Sequence, residues 1–187
     1  MSALASRARP ASARRRSAAR SQISHETVQV SVQFATGRRG VPQSSSLKRW
    51  ANAAVAAAAT PKAAPSGWDV SVRVVGSAES RKLNRLWRGK DKPTNVLSFP
   101  SEILSAGLPA GLADEPLSLG DLAICAPVVA REAREQGKVL QAHWAHMVVH
   151  GILHLLGYDH ENDRDAERME RCEISILAQF GYPNPYV

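Results

Sequence analysis

Eleven residues near the end of the chain, His150 to His160, read His-Gly-Ile-Leu-His-Leu-Leu-Gly-Tyr-Asp-His. His150 and His154 are four residues apart, so in a helix they lie one turn apart on the same face. Gly157 can adopt the left-handed conformation that ends a helix, after which the chain can turn back and deliver His160. Two imidazoles from a helix and a third from the following turn can form a three-histidine Zn²⁺ site whose fourth position is open to water. This spacing therefore predicts a metal site, because three buried imidazoles without partners would be costly.

The same histidine spacing occurs in a zinc protease signature, H-E-x-x-H-x-x-G-x-x-H, whose glycine corresponds to Gly157. The general base of that signature is a glutamate, and this chain has Gly151 at that position. A peptidase without this carboxylate lacks its usual proton acceptor for the attacking water. A zinc hydrolase acting on another substrate, such as peptide, is therefore the weaker interpretation.

The run from His150 to His160 resembles the YbeY family of bacterial rRNA-maturation endoribonucleases, whose pattern H-G-x-L-H-L-x-G-Y-D-H it matches almost letter for letter. An upstream segment, residues 84–100, reads NRLWRGKDKPTNVLSFP and is similar to the family's L-N-x-x-Y/W-R-G-K-D-x-x-T-[DN]-V-L-S-F-P motif. Residues 119–122, Leu-Gly-Asp-Leu, are similar to its L-G-D-[IL] strand. The three motifs occur in the right order, and the resemblance covers residues 27 to 187.

This resemblance implies a zinc-dependent, single-strand-specific endoribonuclease that acts in rRNA maturation, at the 3′ end of 16S rRNA, and in ribosome quality control. It implies one Zn²⁺ per chain held by His150, His154 and His160, with rRNA and ribosomal or small-subunit proteins as partners. We expect a cytoplasmic monomer. A non-catalytic ribosome-assembly factor with a structural metal is an alternative, although structural zinc sites are usually closed by four protein ligands.

Basic residues are concentrated between Arg81 and Lys92, where the chain has six of them, one acid and Trp87. Such a run is often an ordinary solvated surface, but it can also contact RNA phosphates while the indole stacks on a base. The resemblance points to Arg88, and guanidinium matches phosphate with two parallel hydrogen bonds. Arg88 is therefore the expected catalytic residue. The expected substrate-binding residues are Arg85, Trp87 and Lys90.

The sequence does not identify the general base. The metal could activate water alone, the RNA 2′-OH could attack, or an acid such as Asp121 or Asp159 could assist. The same two acids are candidates for accepting an N–H from a metal-binding imidazole. Asp121 could equally be a polar residue on the outward face of a strand. His146, one turn before His150, is expected either to support the site or to lie on the surface.

The net charge of +7 is concentrated near the start of the chain, since residues 1–50 hold ten basic side chains and one acid, against 14 and 16 in the remainder. Residues 1–26 are rich in Ala, Ser and Arg and are predicted to be a disordered basic extension of a domain over 27–187. An RNA-binding arm or a mitochondrial targeting sequence are alternatives. No apolar run is long enough for a membrane span, so no membrane partner is expected.

Hydrophobic periodicity divides the domain into strands and helices. Alternation and short apolar runs predict four strands, at residues 28–34, 68–75, 94–99 and 119–125. Helical periodicity and capping residues predict five helices, at residues 47–59, 77–87, 128–136, 140–156 and from 162 or 163 onwards. The predicted fold is a single α+β domain with a small mixed sheet of about four strands, packed helices and a three-histidine metal site at the end of the main helix.

Overall fold

The computed structural model describes residues 28–58, 67–102, 116–158 and 162–187. These residues form four strands and five helices and confirm the predicted α+β domain with a mixed sheet. In chain order the elements are β1 (Val28–Phe34), α1 (Ser44–Ala58), β2 (Trp68–Val75), α2 (Ser77–Arg88), β3 (Val96–Pro100), β4 (Leu117–Cys125), α3 (Ala126–Glu135), α4 (Leu140–Leu155) and α5 (Asp163–Ala178). The extension predicted over 1–26 lies outside the described residues, as does most of the long segment between β3 and β4.

The sheet has the strand order β1-β2-β4-β3, in which β1, β2 and β4 are parallel and β3 runs antiparallel to β4 at the edge. The main helix, α4, packs against β3 and β4, and α1 and α5 pack beside it. None of the described helices is long and apolar enough to cross a membrane.

Gly151 explains how α4 lies so close to the sheet. A Cβ at this position would stand 2.9 Å from Leu122 Cδ2 and 3.2 Å from Val96 Cγ2, so a larger side chain would push the helix away. Gly151 therefore faces β3 and β4. His150 and His154 lie on the neighbouring side of the helix, beside the contact between Gly151 and the sheet.

Successive side chains of β4 point to opposite faces of the sheet. Leu122 faces α4, so its neighbour Asp121 points to the opposite face, where it is exposed. Phe99 lies directly across from Asp121 on β3 and shares that face. Residues on this side are separated from α4 by the sheet itself.

The observed boundaries differ slightly from the predicted ones. Helix α1 begins at Ser44 rather than residue 47, because a run of serines that favours caps also tolerates the first turn. Helix α3 begins directly after β4, with Pro127 in its first turn rather than between the two elements. Proline is accepted there because the first backbone N–H groups of a helix have no intrahelical acceptor.

Candidate metal centre and active site

His150 and His154 lie on the last two turns of α4 with their Nε2 atoms 3.2 Å apart. Gly157 has φ of +83° and ends the helix in the predicted left-handed conformation. The amide of Tyr158 donates to the carbonyl of Leu153 and the amide of Gly157 to that of His154, which is the hydrogen-bond pattern of a Schellman cap. His160, the third predicted ligand, lies outside the described residues, as does Asp159.

The orientation of the His150 ring is set by a carboxylate behind it. His150 Nδ1 lies 2.8 Å from Glu173 Oε1 on α5. Because a carboxylate only accepts hydrogen bonds, Nδ1 carries the proton, and the Nε2 lone pair points towards His154. Two imidazole nitrogens 3.2 Å apart require a proton or a cation between them. The pair therefore fits a metal ion in this position.

Glu173 is fully buried and receives three hydrogen bonds. His146 Nε2 lies 3.2 Å from its Oε2, and the hydroxyl of Tyr186 donates to the same oxygen. Burial alone would raise the pKa of Glu173, but the hydrogen bonds from His146, His150 and Tyr186 outweigh it and lower the pKa to about 2. The carboxylate is thus ionised throughout the physiological pH range.

His146, His150 and Glu173 form a cluster that could hold a metal, since one ligand atom of each lies within 4.8 Å of the others. The contact between His150 and Glu173 favours a hydrogen bond over two ligands of one ion. Ligand atoms on one tetrahedral zinc stand roughly 3.3 Å apart, whereas the contact between His150 Nδ1 and Glu173 is 2.8 Å. The Nε2 atoms of His150 and His154 are 3.2 Å apart, which matches the spacing for a metal, as does the 3.2 Å contact between His146 and Glu173. With Nδ1 of His150 engaged by Glu173, the two Nε2 atoms are the imidazole nitrogens that could hold an ion together.

A pocket of about 330 Å³ opens in front of these histidines. Arg88, the last residue of α2, lines the same pocket as His150 and His154. The lining is mostly polar and, among the described residues, consists of Arg88, Thr94, Asn95, Val96, Ser98, His150 and His154. A cationic side chain and two imidazoles in one polar pocket suit an anionic substrate such as phosphate.

Two buried polar side chains of α2 form hydrogen bonds with the loop that follows Arg88. Ser80 Oγ donates to the Thr94 carbonyl at 2.9 Å and accepts from the Thr94 amide at 3.0 Å. Asn84 Nδ2 donates to the Lys92 carbonyl at 2.7 Å. These bonds attach the loop after α2 to the helix. They therefore set the position of Arg88 relative to the first residues of β3.

The remaining predicted substrate-binding residues are exposed near this pocket without lining it. Trp87 is 65% exposed and contacts Phe99 edge to face, with ring centroids 5.7 Å apart. Arg85 and Lys90 are exposed on and just after α2. Arg81, by contrast, forms two hydrogen bonds with Asp91, which offset part of the basic charge of the patch.

Asp121 does not accompany the histidines. It lies on the exposed face of the sheet opposite α4, because adjacent strand residues point to opposite faces and its neighbour Leu122 is the one that meets the helix. The structure instead places Glu173 in the role expected of Asp121, accepting the N–H of a candidate metal-binding imidazole.

Glu173 and Tyr186 were not identified from the sequence. A signal for Glu173 exists, since it falls within the apolar stripe of α5 between Met169 and Ile176. A carboxylate at a core position of an amphipathic helix needs buried partners, and the histidines of α4 are the available donors. Tyr186 has no comparable signal, because its position depends on how the C-terminal residues fold back.

A second carboxylate–histidine pair lies further along α4. His143 is buried, and its Nε2 lies 3.0 Å from Glu132 Oε2, an oxygen that also accepts from Asn95 Nδ2 at 3.1 Å. Burial lowers the pKa of His143 below 6.5, against the raising effect of the Glu132 hydrogen bond and charge. Asn95 links this pair to the pocket, which it lines.

The lowered pKa of His143 predicts a loss of stability in mild acid. The unfolded chain takes up this proton as the pH falls below about 6.5, while the folded protein resists it. The stability that the neutral His143 side chain contributes is therefore fully present above about pH 6.5. Below that pH the free energy of unfolding falls by up to about 1.4 kcal/mol per pH unit. Urea unfolding of metal-free protein between pH 7.5 and 5.5 should show this slope, and His143→Gln should lack it. Equal slopes in both proteins would contradict the assignment.

An arginine and two histidines that line one polar pocket suit a hydrolase of phosphate esters, and comparison with known proteins agrees with that class. The family model described as Endoribonuclease YbeY matches residues 25–181. A Stenotrophomonas maltophilia (strain K279a) protein named Endoribonuclease YbeY is 53% identical over 157 residues, covering 84% of this chain and 92% of the relative. A protein of the same name from Alkalilimnicola ehrlichii is 56% identical over 150 residues, covering 80% and 84%. The chain therefore belongs to the YbeY family of endoribonucleases.

A solved structure is similar in fold. The solution structure of TM1509 from Thermotoga maritima has a TM-score of 0.50 and 25% sequence identity to this chain, and the match covers 82% of this chain and 92% of that one. The similarity spans nearly the whole domain, so the α+β arrangement that supports the site is shared.

Proposed function

We propose that this protein is a zinc-dependent, single-strand-specific endoribonuclease acting in rRNA maturation, at the 3′ end of 16S rRNA, and in ribosome quality control. The observation that carries the proposal is the meeting of His150, His154 and Arg88 in one pocket. The relatives are named as endoribonucleases, which supports RNA as the substrate. The rRNA target, the ribosomal partners and action as a cytoplasmic monomer follow from the resemblance carried by the three sequence motifs.

His150 and His154 would hold the ion, with His160 as the third expected ligand. Imidazole nitrogen suits Zn²⁺, and the hydrogen bond from His150 Nδ1 to Glu173 keeps the proton on Nδ1, so the Nε2 atom has the lone pair that a metal ligand needs. When bound, zinc polarises a phosphate oxygen and lowers the pKa of bound water towards ~7. One Zn²⁺ per chain is proposed.

Arg88 neutralises charge that develops on the scissile phosphate. It lies at the end of α2 and lines the same pocket as the histidines, and its planar guanidinium can donate two hydrogen bonds to phosphate oxygens. Ser98 donates its hydroxyl hydrogen to the Gly151 carbonyl at 3.2 Å, so its oxygen is available as an acceptor. The ribose 2′-OH, which distinguishes RNA from DNA, is a matching donor.

The nucleophile is either water or the neighbouring 2′-OH of the RNA. Among the described residues that line the pocket, none is a carboxylate. Gly151, at the position of the protease glutamate, faces the sheet, where a Cβ would already crowd Leu122. This placement disfavours a peptidase mechanism with its base at that position. Attack by 2′-OH would leave 2′,3′-cyclic phosphate ends, whereas attack by water would leave linear ends directly.

The proposal predicts that purified, untagged full-length protein contains about one zinc per chain and cleaves single-stranded RNA. The same RNA annealed to its complement should be resistant. Complete removal of metal by a chelator should abolish cleavage, and added Zn²⁺ should restore it. Elemental mass spectrometry and a labelled-RNA gel assay test both points, with casein as a parallel substrate. Cleavage that survives complete metal removal, or casein hydrolysis that requires His154, would contradict the proposal.

A further inference from the structure

The Glu173 carboxylate stands at the centre of a hydrogen-bonded network that links the candidate metal ligand His150 to the C-terminus. Its Oε1 is 2.8 Å from His150 Nδ1, and its Oε2 receives His146 and Tyr186. The side chain is entirely buried, so water does not compete for these bonds. Two of these contacts come from α4 and one from the C-terminal segment, so that α4, α5 and the C-terminal segment meet at this one carboxylate.

We propose that Glu173 is a positioning residue for the metal, acting through His150 and itself held by His146 and Tyr186. This inference rests on the proposed function, because it concerns the same metal. By accepting the Nδ1 proton, Glu173 keeps His150 in the tautomer whose Nε2 can bind a cation. The negative charge also makes that nitrogen a stronger donor to the ion. Loss of such a partner behind a ligand typically weakens metal binding by about 10- to 100-fold.

Tyr186 makes the C-terminal segment part of this arrangement. The segment is attached to the domain by Lys138, whose ammonium donates to the carbonyl of the buried Pro185. The amide of Tyr186 donates to Asn184 Oδ1 at 3.0 Å, and its ring lies 5.5 Å from that of His146. These contacts direct the phenol hydroxyl onto Glu173. The last residues of the chain thereby help to orient a carboxylate that lies behind the metal.

His146 completes the support on the other side of the carboxylate. It is buried one turn before His150 on α4 and shares the apolar interior between α4 and α5. It contacts Oε2, whereas His150 contacts Oε1. Removing either His146 or Tyr186 would let the carboxylate turn. Replacing Glu173 with an uncharged side chain of similar size would weaken its hydrogen bond to His150 without leaving a cavity.

The test measures zinc affinity of metal-free, folded protein by competition with a chromophoric chelator. Glu173→Gln is nearly isosteric, and it should bind zinc about 10- to 100-fold more weakly than wild type. Tyr186→Phe removes one hydroxyl from a side chain that is 45% exposed, and it should cause a smaller loss of affinity in the same direction. Glu167→Gln is the matched control, because Glu167 is an exposed acid on the same helix that pairs with Arg171. Its affinity should equal that of wild type.

A second readout separates positioning from structural support. Unfolding of the metal-free proteins by urea reports stability, and the visible spectrum of the Co²⁺-loaded proteins reports ligand geometry. Positioning by Glu173 predicts an altered Co²⁺ spectrum and weaker zinc binding even where the metal-free protein is folded. If Glu173→Gln does not fold, Tyr186→Phe decides: weaker zinc binding supports the inference, and unchanged binding overturns it.

The outcomes distinguish this inference from the function on which it rests. If wild type binds zinc, His154→Ala does not, and both Glu173→Gln and Tyr186→Phe bind like wild type, only the positioning role is overturned. If wild type itself binds no zinc, the proposed function and the positioning role both fall. If Glu173→Gln loses zinc completely while His154→Ala keeps it, the ion lies within His146, His150 and Glu173. Glu173 would then be a ligand, which also overturns the positioning role.

Discussion

Replacing His154 with alanine is expected to remove the bound zinc and to slow cleavage of single-stranded RNA by at least about 10³-fold. The ion supplies several kcal/mol of transition-state stabilisation, and each ~1.4 kcal/mol corresponds to a factor of ten in rate. His154 Nε2 is 3.2 Å from His150 Nε2, so its loss removes half of the described nitrogen pair. Elemental mass spectrometry and single-turnover cleavage of a labelled RNA measure the two effects.

The variant is expected to remain folded, so the loss would belong to the site. His154 is only partly buried, near the end of α4, and alanine favours helix. Gln141→Ala is a suitable control because Gln141 is exposed on the same helix, away from the pocket lining. Far-ultraviolet circular dichroism checks the fold of both variants. Full zinc content and full cleavage in a folded His154→Ala protein would contradict the metal assignment.

Replacing Arg88 with alanine is expected to lower kcat for RNA cleavage by about 10²- to 10³-fold while the zinc content stays unchanged. One preorganised donor aimed at developing negative charge typically contributes an effect of this size. Arg88 lines the same pocket as His150 and His154, so we expect a phosphate bound in this pocket to contact the guanidinium. Arg88→Lys should recover part of the rate, since it restores the charge but not the planar, two-donor geometry.

Arg85→Ala provides the contrast for this experiment. Arg85 is exposed one turn earlier on α2 and does not line the pocket, so its loss should weaken RNA binding modestly and leave kcat unchanged. Its effect should also shrink as salt is raised, because exposed phosphate contacts are screened. If Arg88→Ala raised KM alone, as expected for Arg85→Ala, Arg88 would be a binding residue without contact to the reacting phosphate.

Several features were predictable from the sequence because they depend on local rules. Alternation of apolar residues predicted the strands, and the four-residue spacing of His150 and His154 placed both on one side of a helix. Gly157 was correctly predicted to end that helix, since the left-handed conformation it adopts is one that glycine enters without strain. The residues of the three motifs were also sufficient to relate the chain to the YbeY family, and the family comparisons confirm this relation.

Other features could not be read from the sequence because they depend on which elements meet. Asp121 was a reasonable candidate to support the metal, but strand alternation alone does not say which face carries the helix. The sequence shows that Gly151 stands where the protease signature has its glutamate. That Gly151 lies in close contact with Leu122 is known only from the packing of α4 on the sheet. The sequence predicts either a supporting or a surface role for His146, and the structure buries it against Glu173.

The sequence by itself determined the class of the domain, the histidine pair and the family, because helical spacing and turn chemistry act over a few residues. Only the tertiary structure decided that Arg88 lines one pocket with these histidines and that Glu173 lies behind His150. These pairs are separated by many residues along the chain, and long-range contacts arise from burial of apolar faces that are not specific to one partner. A buried carboxylate is ionised only where several donors converge, and that convergence is a property of the packed elements.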